Sequence, residues 1–358
     1  MNILFLTYQG DMAGSTRSIF YLADGLAKKG HNVFVGCRKE SLLFSLVENS
    51  NATPVAMSFS GRLDFKNIRE IRQIVNERKI QIINAQSSYD RYTSILARLF
   101  YKLPVKIFHT RRQRPRSDGG WIQKQFYIKG TDGIIVVSEE LKRMFIAKGY
   151  PANHIHVIYN GVPENINTLI NDNTLESLRK QHAIASHDTV VGCISRKKSQ
   201  EELIRALKFM DPAIKVLFVG IDKEFLQDEI ERESPKQEII FAGKKDWEET
   251  LHYYKLCTLN VLPSRMDGFG LVIVESMLLG TPVVGANKGG IINLIENGVS
   301  GLIYEFGNPE DLAKKIQTLL DDRTKKDAMI QNGLNRAKRF SVAQTVINYE
   351  NFFQSFYK

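Results

Sequence analysis

Short apolar runs alternate with longer amphipathic stretches from the first residues onward: 3–6, then 18–28, then 33–35, in a rhythm that recurs along the chain. Brief apolar runs bounded by turn residues predict buried strands, and apolar positions spaced by three and four predict helices. Further strands are expected at 80–83, 105–108, 133–137 and 156–158, and helices at 66–78, 92–100 and 139–148. Strand and helix in alternation give a parallel sheet with helical crossovers, so this half reads as one doubly wound domain.

The rhythm lapses after Asn160-Gly161-Val162-Pro163, where the polar stretch 164–173 reads as an interdomain linker, and resumes at Thr189. Strands at 190–194, 215–219, 238–241, 259–262, 282–284 and 301–304 then predict a second doubly wound domain. The expected division is 1–163 and 164–340, with a helical segment, 341–358, returning to pack on the first domain. Open parallel sheets take ligands beyond the carboxyl ends of their strands, so a cleft between the domains is the expected site.

Composition narrows the class. The 358 residues are 43% hydrophobic and 25% charged, the balance of a soluble globular protein with two ordinary cores. Cys37, Cys193 and Cys257 are far apart and odd in number, which argues against a disulfide framework or a zinc set and for a reducing compartment. The start, MNILFLTYQG, lacks the features of a signal peptide, and no apolar run approaches the roughly 20 residues of a membrane span. A cytoplasmic protein follows, with any contact to the inner face of the membrane peripheral.

Lys and Arg exceed Asp and Glu by 49 to 39, which suits anionic partners without choosing among them. The excess is densest at Arg111, Arg112, Arg114 and Arg116. That patch reads either as a grip on an anionic acceptor or membrane surface or as a solvated basic loop. No nucleic-acid-binding module is recognisable, so a nucleic-acid partner is not expected.

The most informative chemistry is the strand, loop and helix over 262–277, in which Asp267 and Glu275 bracket Gly268-Phe269-Gly270-Leu271. Its glycines let backbone approach a ligand closely, and the new helix offers unpaired N–H groups to a phosphate. A second constellation, Ser195-Arg196-Lys197-Lys198-Ser199, follows the strand 190–194. Its positive charge, from Arg196, Lys197 and Lys198, sits where a diphosphate would, and also reads as an ordinary basic surface turn. In the first domain the loop 10–17, carrying Gly14 and Ser15, lies between strand and helix and lacks the G-x-G-x-x-G spacing of nicotinamide or flavin sites. His109 ends the strand 105–108, and its ring is expected to point into the cleft; it reads equally as a site residue and as a satisfied structural group.

Taken with Gly280-Thr281-Pro282-Val283-Val284, the stretch 262–277 resembles the signature of the large retaining glycosyltransferase family four, whose fold is GT-B. The resemblance runs along nearly the whole chain and is densest from 192 to 309. It implies an α/β protein of two Rossmann-like domains that moves a hexosyl or related group from a nucleotide-diphosphate sugar to a glycan or lipid-linked acceptor with retention, in cell-surface polysaccharide or lipopolysaccharide assembly. Under it Arg196 and Lys198, with Lys197 as the alternative cation, offset charge on the departing diphosphate, Asp267 lies near the donor sugar, Glu275 accepts from the ribose, Gly243 lies near the base, and His109 contacts the sugar.

No cofactor is implied beyond the nucleotide sugar as co-substrate, and the chain has no Asp-x-Asp pair to bridge a diphosphate through a metal. The family's first carboxylate is Glu, whereas Asp267 is shorter by one methylene, roughly 1.5 Å. Two alternatives stand beside transfer: a nucleotide-sugar 2-epimerase, and a sugar-nucleotide binder weakened at Asp267.

Overall fold

The structure is a computed structural model that describes residues 1–11, 13–114 and 120–357. It divides into two compact units, Met1–Gly161 with Val342–Lys358, and Val162–Ser341.

Unit 1 contains β1 (Asn2–Leu6), β2 (Asn32–Cys37), β3 (Thr53–Ala56), β4 (Ile82–Ala85), β5 (Lys106–Arg111), β6 (Gly133–Val136) and β7 (Ile155–Val157). They form one parallel sheet in the order β3-β2-β1-β4-β5-β6-β7. Both faces are covered, which is why the strands read as unbroken apolar runs. Alternation divides those runs between two cores: Ile3, Phe5, Ile82 and Phe108 face one layer, and Leu4, Leu6, Ile83 and Ile107 face the other. Helix Gly14–Lys28 buries Ile19, Leu22, Ala23 and Leu26 at helical spacing. Against the same layer, helix Val342–Gln354 packs Val346, Tyr349 and Phe353.

Unit 2 repeats the plan with β8 (Val190–Ile194), β9 (Lys215–Val219), β10 (Ile239–Phe241), β11 (Leu259–Leu262), β12 (Val283–Ala286) and β13 (Leu302–Tyr304). The order is β10-β9-β8-β11-β12-β13, all parallel. Each sheet therefore reverses its strand order beside its first strand, and in unit 2 that point falls between β8 and β11. In open parallel sheets that point, at the carboxyl edge, is where ligands are bound.

The stretch expected to be a linker is not one. Residues 164–173 hold a turn of 3₁₀ helix, Ile166–Leu169, and the start of helix Asp172–Gln181. Ile166 is fully buried, so the segment is fastened into unit 2 despite its polar composition. No helix among the described residues is long and apolar enough to cross a membrane.

Candidate functional site

At the carboxyl end of β8 the chain leaves the sheet through Ser195, Arg196, Lys197, Lys198 and Ser199 before helix Glu201–Ala206. The loop is fixed from within by Gln200, which is 1% exposed. Its Nε2 donates to Ser195 Oγ at 3.1 Å and to the Arg196 carbonyl at 3.0 Å, and its Oε1 accepts from the Lys198 N–H at 2.7 Å. Gly220 backs the same loop: a Cβ there would stand 2.8 Å from the Ser195 carbonyl oxygen. The Gly220 N–H in turn donates to the carbonyl of Gly243 at 2.8 Å, tying that predicted residue to the row.

This loop sorts the neighbouring lysines. Lys197 places its Nζ 4.5 Å from the centre of the Phe225 ring. Lys198 turns to the loop after β11, where its Nζ lies 2.9 Å from Asp267 Oδ2. Arg196 is exposed on the same turn.

Asp267 is a hub of that second loop. Its Oδ1 accepts from the Phe269 N–H at 3.3 Å, and its carbonyl accepts from the Gly290 N–H at 2.8 Å. The turn after β12 presses on it so closely that a Cβ at Gly289, where φ is +61°, would stand 2.5 Å from the Asp267 carbonyl oxygen. At Gly290 a Cβ would stand 2.6 Å from the Gly268 carbonyl oxygen, so glycine is required at both positions. Phe269 is 3% exposed and meets Phe340 edge-on at 5.7 Å. Gly270, at φ +100°, turns the chain into helix Leu271–Leu278, whose start carries no side-chain cap. First-turn N–H groups and the positive end of the dipole favour an anion at this place.

Glu275 sits one turn into that helix and is 7% exposed. Trp247 Nε1 donates to its Oε1 at 2.9 Å and the Tyr254 hydroxyl donates to its Oε2 at 2.9 Å. Burial and the adjacent carboxylate push the Tyr254 hydroxyl well above its ordinary pKa, so it stays a donor. Sequence reasoning missed Trp247, Tyr254 and Gln200. The usable signal was the aromatic run of helix Trp247–Leu256, which precedes β11.

In unit 1, Gly14 is the first residue of helix Gly14–Lys28, with Ser15 beside it and Met12 outside the described residues. Thr16 Oγ1 donates to the Asp11 carbonyl at 2.6 Å, bracing the loop. His109 departs from expectation: it does not project from the strand end but is wholly buried, edge-on to Tyr127 at 5.4 Å. Neither ring nitrogen has a hydrogen-bond partner, and burial with nearby arginines holds its pKa well below the ordinary 6.5.

Arg111 and Arg112 do not form a solvated loop either. Arg111 closes β5, half-buried, with its guanidinium 5.2 Å from the Phe145 ring centre, and burial together with Arg91 pushes it down to about 9. Arg112 donates to Gln86 Oε1. Arg114 is exposed, and Arg116 lies outside the described residues. Among the described residues no cluster of His, Cys, Asp and Glu could hold a metal ion.

The family profile described as Glycosyl transferases group 1 matches residues 176–336, and that described as Glycosyltransferase Family 4 matches residues 12–165. A D-inositol 3-phosphate glycosyltransferase of Corynebacterium kroppenstedtii is 28% identical over 258 residues, 67% of this chain and 57% of that protein. The chain thus spans less than two thirds of that relative's length. The capsular polysaccharide biosynthesis glycosyltransferase CapM of Staphylococcus aureus is 25% identical over 330 residues, 87% of this chain and 86% of CapM. Among solved structures, Anabaena Alr3699/HepE in complex with UDP and glucose superposes with a TM-score of 0.84 at 24% identity, over 99% of this chain and all of that one, and shares the GT-B fold.

Proposed function

The chain belongs to glycosyltransferase family four, and from that premise we propose that it transfers a glycosyl group from a nucleoside diphosphate sugar to an acceptor, with unit 2 holding the donor. Breaking the glycosyl–phosphate bond leaves its electron pair on the diphosphate oxygen. That growing charge is met by Arg196, by Lys198 and by the start of helix Leu271–Leu278. Asp267 orients Lys198 and lies toward the sugar, Gly243 lies toward the base, and Glu275 takes the ribose in addition to Trp247 and Tyr254. The acceptor hydroxyl attacks the face that the diphosphate leaves and passes its proton to the departing diphosphate oxygen, giving retention, and the cations act in place of a metal ion.

One observation carries this reading: the 2.9 Å pair of Lys198 and Asp267, which joins the loops on either side of the strand-order reversal. A fixed cation beside that reversal, near a helix start, suits a diphosphate. HepE was solved with UDP and glucose, and CapM is named for capsular polysaccharide synthesis; by analogy the acceptor is a glycan or a lipid-linked saccharide of the cell surface, met from the cytoplasmic side by peripheral contact.

The test is incubation with a panel of nucleotide sugars, with and without lipid-linked glycan acceptors, followed by mass spectrometry and repeated with a chelator. Loss of donor sugar matched by free nucleoside diphosphate and a lengthened acceptor, unaffected by the chelator, is expected. An intact donor converted to its epimer assigns the epimerase reading instead, and bound but unconverted donor assigns a weakened binder.

A further inference from the structure

The loop that carries Asp267 is held from two sides, and one arginine outside it reaches both supports. On one side stands the turn of Gly289 and Gly290, with the short helix Ile291–Leu294 that continues it. Leu294 is wholly buried, and a Cβ at Gly270 would stand 3.2 Å from its Cδ1, so the segment 289–294 follows the loop from Asp267 to Gly270. On the other side stands Phe340, whose ring meets that of Phe269 edge-on. The backbone of Phe340 is fixed in its turn, its carbonyl accepting from the Val162 N–H at 2.9 Å.

Arg336 belongs to helix Arg323–Ala337, which lies against helix Leu271–Leu278: a Cβ at Gly333 would stand 3.4 Å from Met277 Cγ. Its Nη2 donates to the Asn293 carbonyl at 2.7 Å and its Nε donates to the Leu294 carbonyl at 3.1 Å. The last carbonyls of a helix have no partner inside it, so these two are open to an outside donor. The same guanidinium stands 5.3 Å from the centre of the Phe340 ring. A planar fork bonds two carbonyls and lies over a ring at once, which a compact ammonium does not do.

We propose that Arg336 is a positioning residue for the donor loop: it ties the short helix to Phe340 across residues 267–270 and so keeps Asp267 in register with Lys198. It touches neither nucleotide nor sugar and acts through the Gly290 N–H and the Phe269 ring. The proposal rests on the glycosyl-transfer reading only in taking a nucleoside diphosphate as the ligand of this loop.

Two measurements on the full chain test it. Hydrogen exchange read by mass spectrometry compares the parent with Arg336→Gln. Exchange should quicken in peptides covering 266–270 and 289–295, where the Phe269 and Gly290 N–H groups bond to Asp267, and stay unchanged in the strands of unit 2. Unchanged exchange in those peptides, or a rise throughout unit 2, would overturn the proposal.

Calorimetry with UDP, GDP and ADP, at a temperature where parent and variant are both folded, reads the consequence. Arg336→Gln should raise the Kd of a bound nucleotide at least about fivefold, and less than about twofold in a Lys198→Ala background, because the effect passes through the Asp267–Lys198 pair. An unchanged Kd, or equal factors in the two backgrounds, makes Arg336 a support of the fold alone and defeats the assignment. Should Arg336→Gln fail to fold, Arg336→Lys keeps the charge over Phe340 and loses the fork, and should show both changes in smaller degree. A parent that binds none of the three nucleotides loses the donor reading, and the exchange result then decides the role of Arg336 by itself.

Discussion

Lys198 Nζ and Asp267 Oδ2 lie 2.9 Å apart, joining the loop after β8 to the loop after β11, with side chains only 15% and 17% exposed. At that burial the pair is more than a surface ion pair, because removing either partner leaves the other charge poorly solvated. In the proposed reaction an arriving diphosphate competes with Asp267 for Lys198. Asp267 then keeps the cation aimed while the site is empty.

Lys198→Ala should therefore slow transfer roughly a hundredfold, the scale of losing one donor to a developing oxyanion. Lys197→Ala, whose ammonium lies over Phe225, should change the rate little. Steady-state kinetics on the two variants separates neighbouring cations that the sequence presents as equals; equal effects would contradict the assignment.

Glu275→Ala should destabilise the protein by about 2 kcal/mol or more, since it strands the Trp247 N–H and the Tyr254 hydroxyl, both bonded to this carboxylate. Glu275→Gln keeps an acceptor for one of them and should cost less. Denaturant unfolding measures both. Loss of nucleotide affinity in the Gln variant then tests the proposed ribose contact apart from the fold.

Gly289 and Gly298 both have positive φ, +61° and +83°, but a Cβ at Gly289 meets the backbone of Asp267 while one at Gly298 meets open space. Alanine at 298 should cost about 1 kcal/mol from its left-handed backbone and leave UDP binding intact. Alanine at 289 should cost more and weaken UDP binding, because Asp267 and its loop must move. Paired melting curves and calorimetry check this.

His109 supplies a pH prediction. Buried and held below its ordinary 6.5, it binds no proton when folded, whereas the unfolded chain binds one as pH falls below that value. Acid therefore favours unfolding, and stability is lost as pH falls from 6.5 toward the depressed folded value. His109→Phe should show a smaller fall in melting temperature between pH 7 and pH 5 than the parent. An equal fall would place the acid sensitivity at the half-buried His154, His156 and His182, whose pKa values are also lowered.

Much of the architecture was legible because strands buried on both faces are written as plain apolar runs. Val190–Ile194, Lys215–Val219 and Leu259–Leu262 occupy the positions their sequence implies. Thr53–Ala56 was not foreseen, since Pro54 argues against a strand. Proline is tolerated there because β3 is the sheet edge. The glycine loop, Asp267 and the basic turn were visible as motifs, but not which lysine would turn inward, a choice made by Gln200 and Phe225. Nor could a single strand end reveal that His109 would be enclosed, since the covering Tyr127 arrives on a later helix.

The central claim is that the loops after β8 and β11 bind a nucleoside diphosphate through Lys198. Calorimetric titration of the intact chain with UDP, and with the other nucleoside diphosphates in turn, tests it most directly. Saturable binding of at least one, weakened at least about tenfold by Lys198→Ala, is the predicted result. Absence of binding to any of them, or an affinity that Lys198→Ala leaves unchanged, would contradict it.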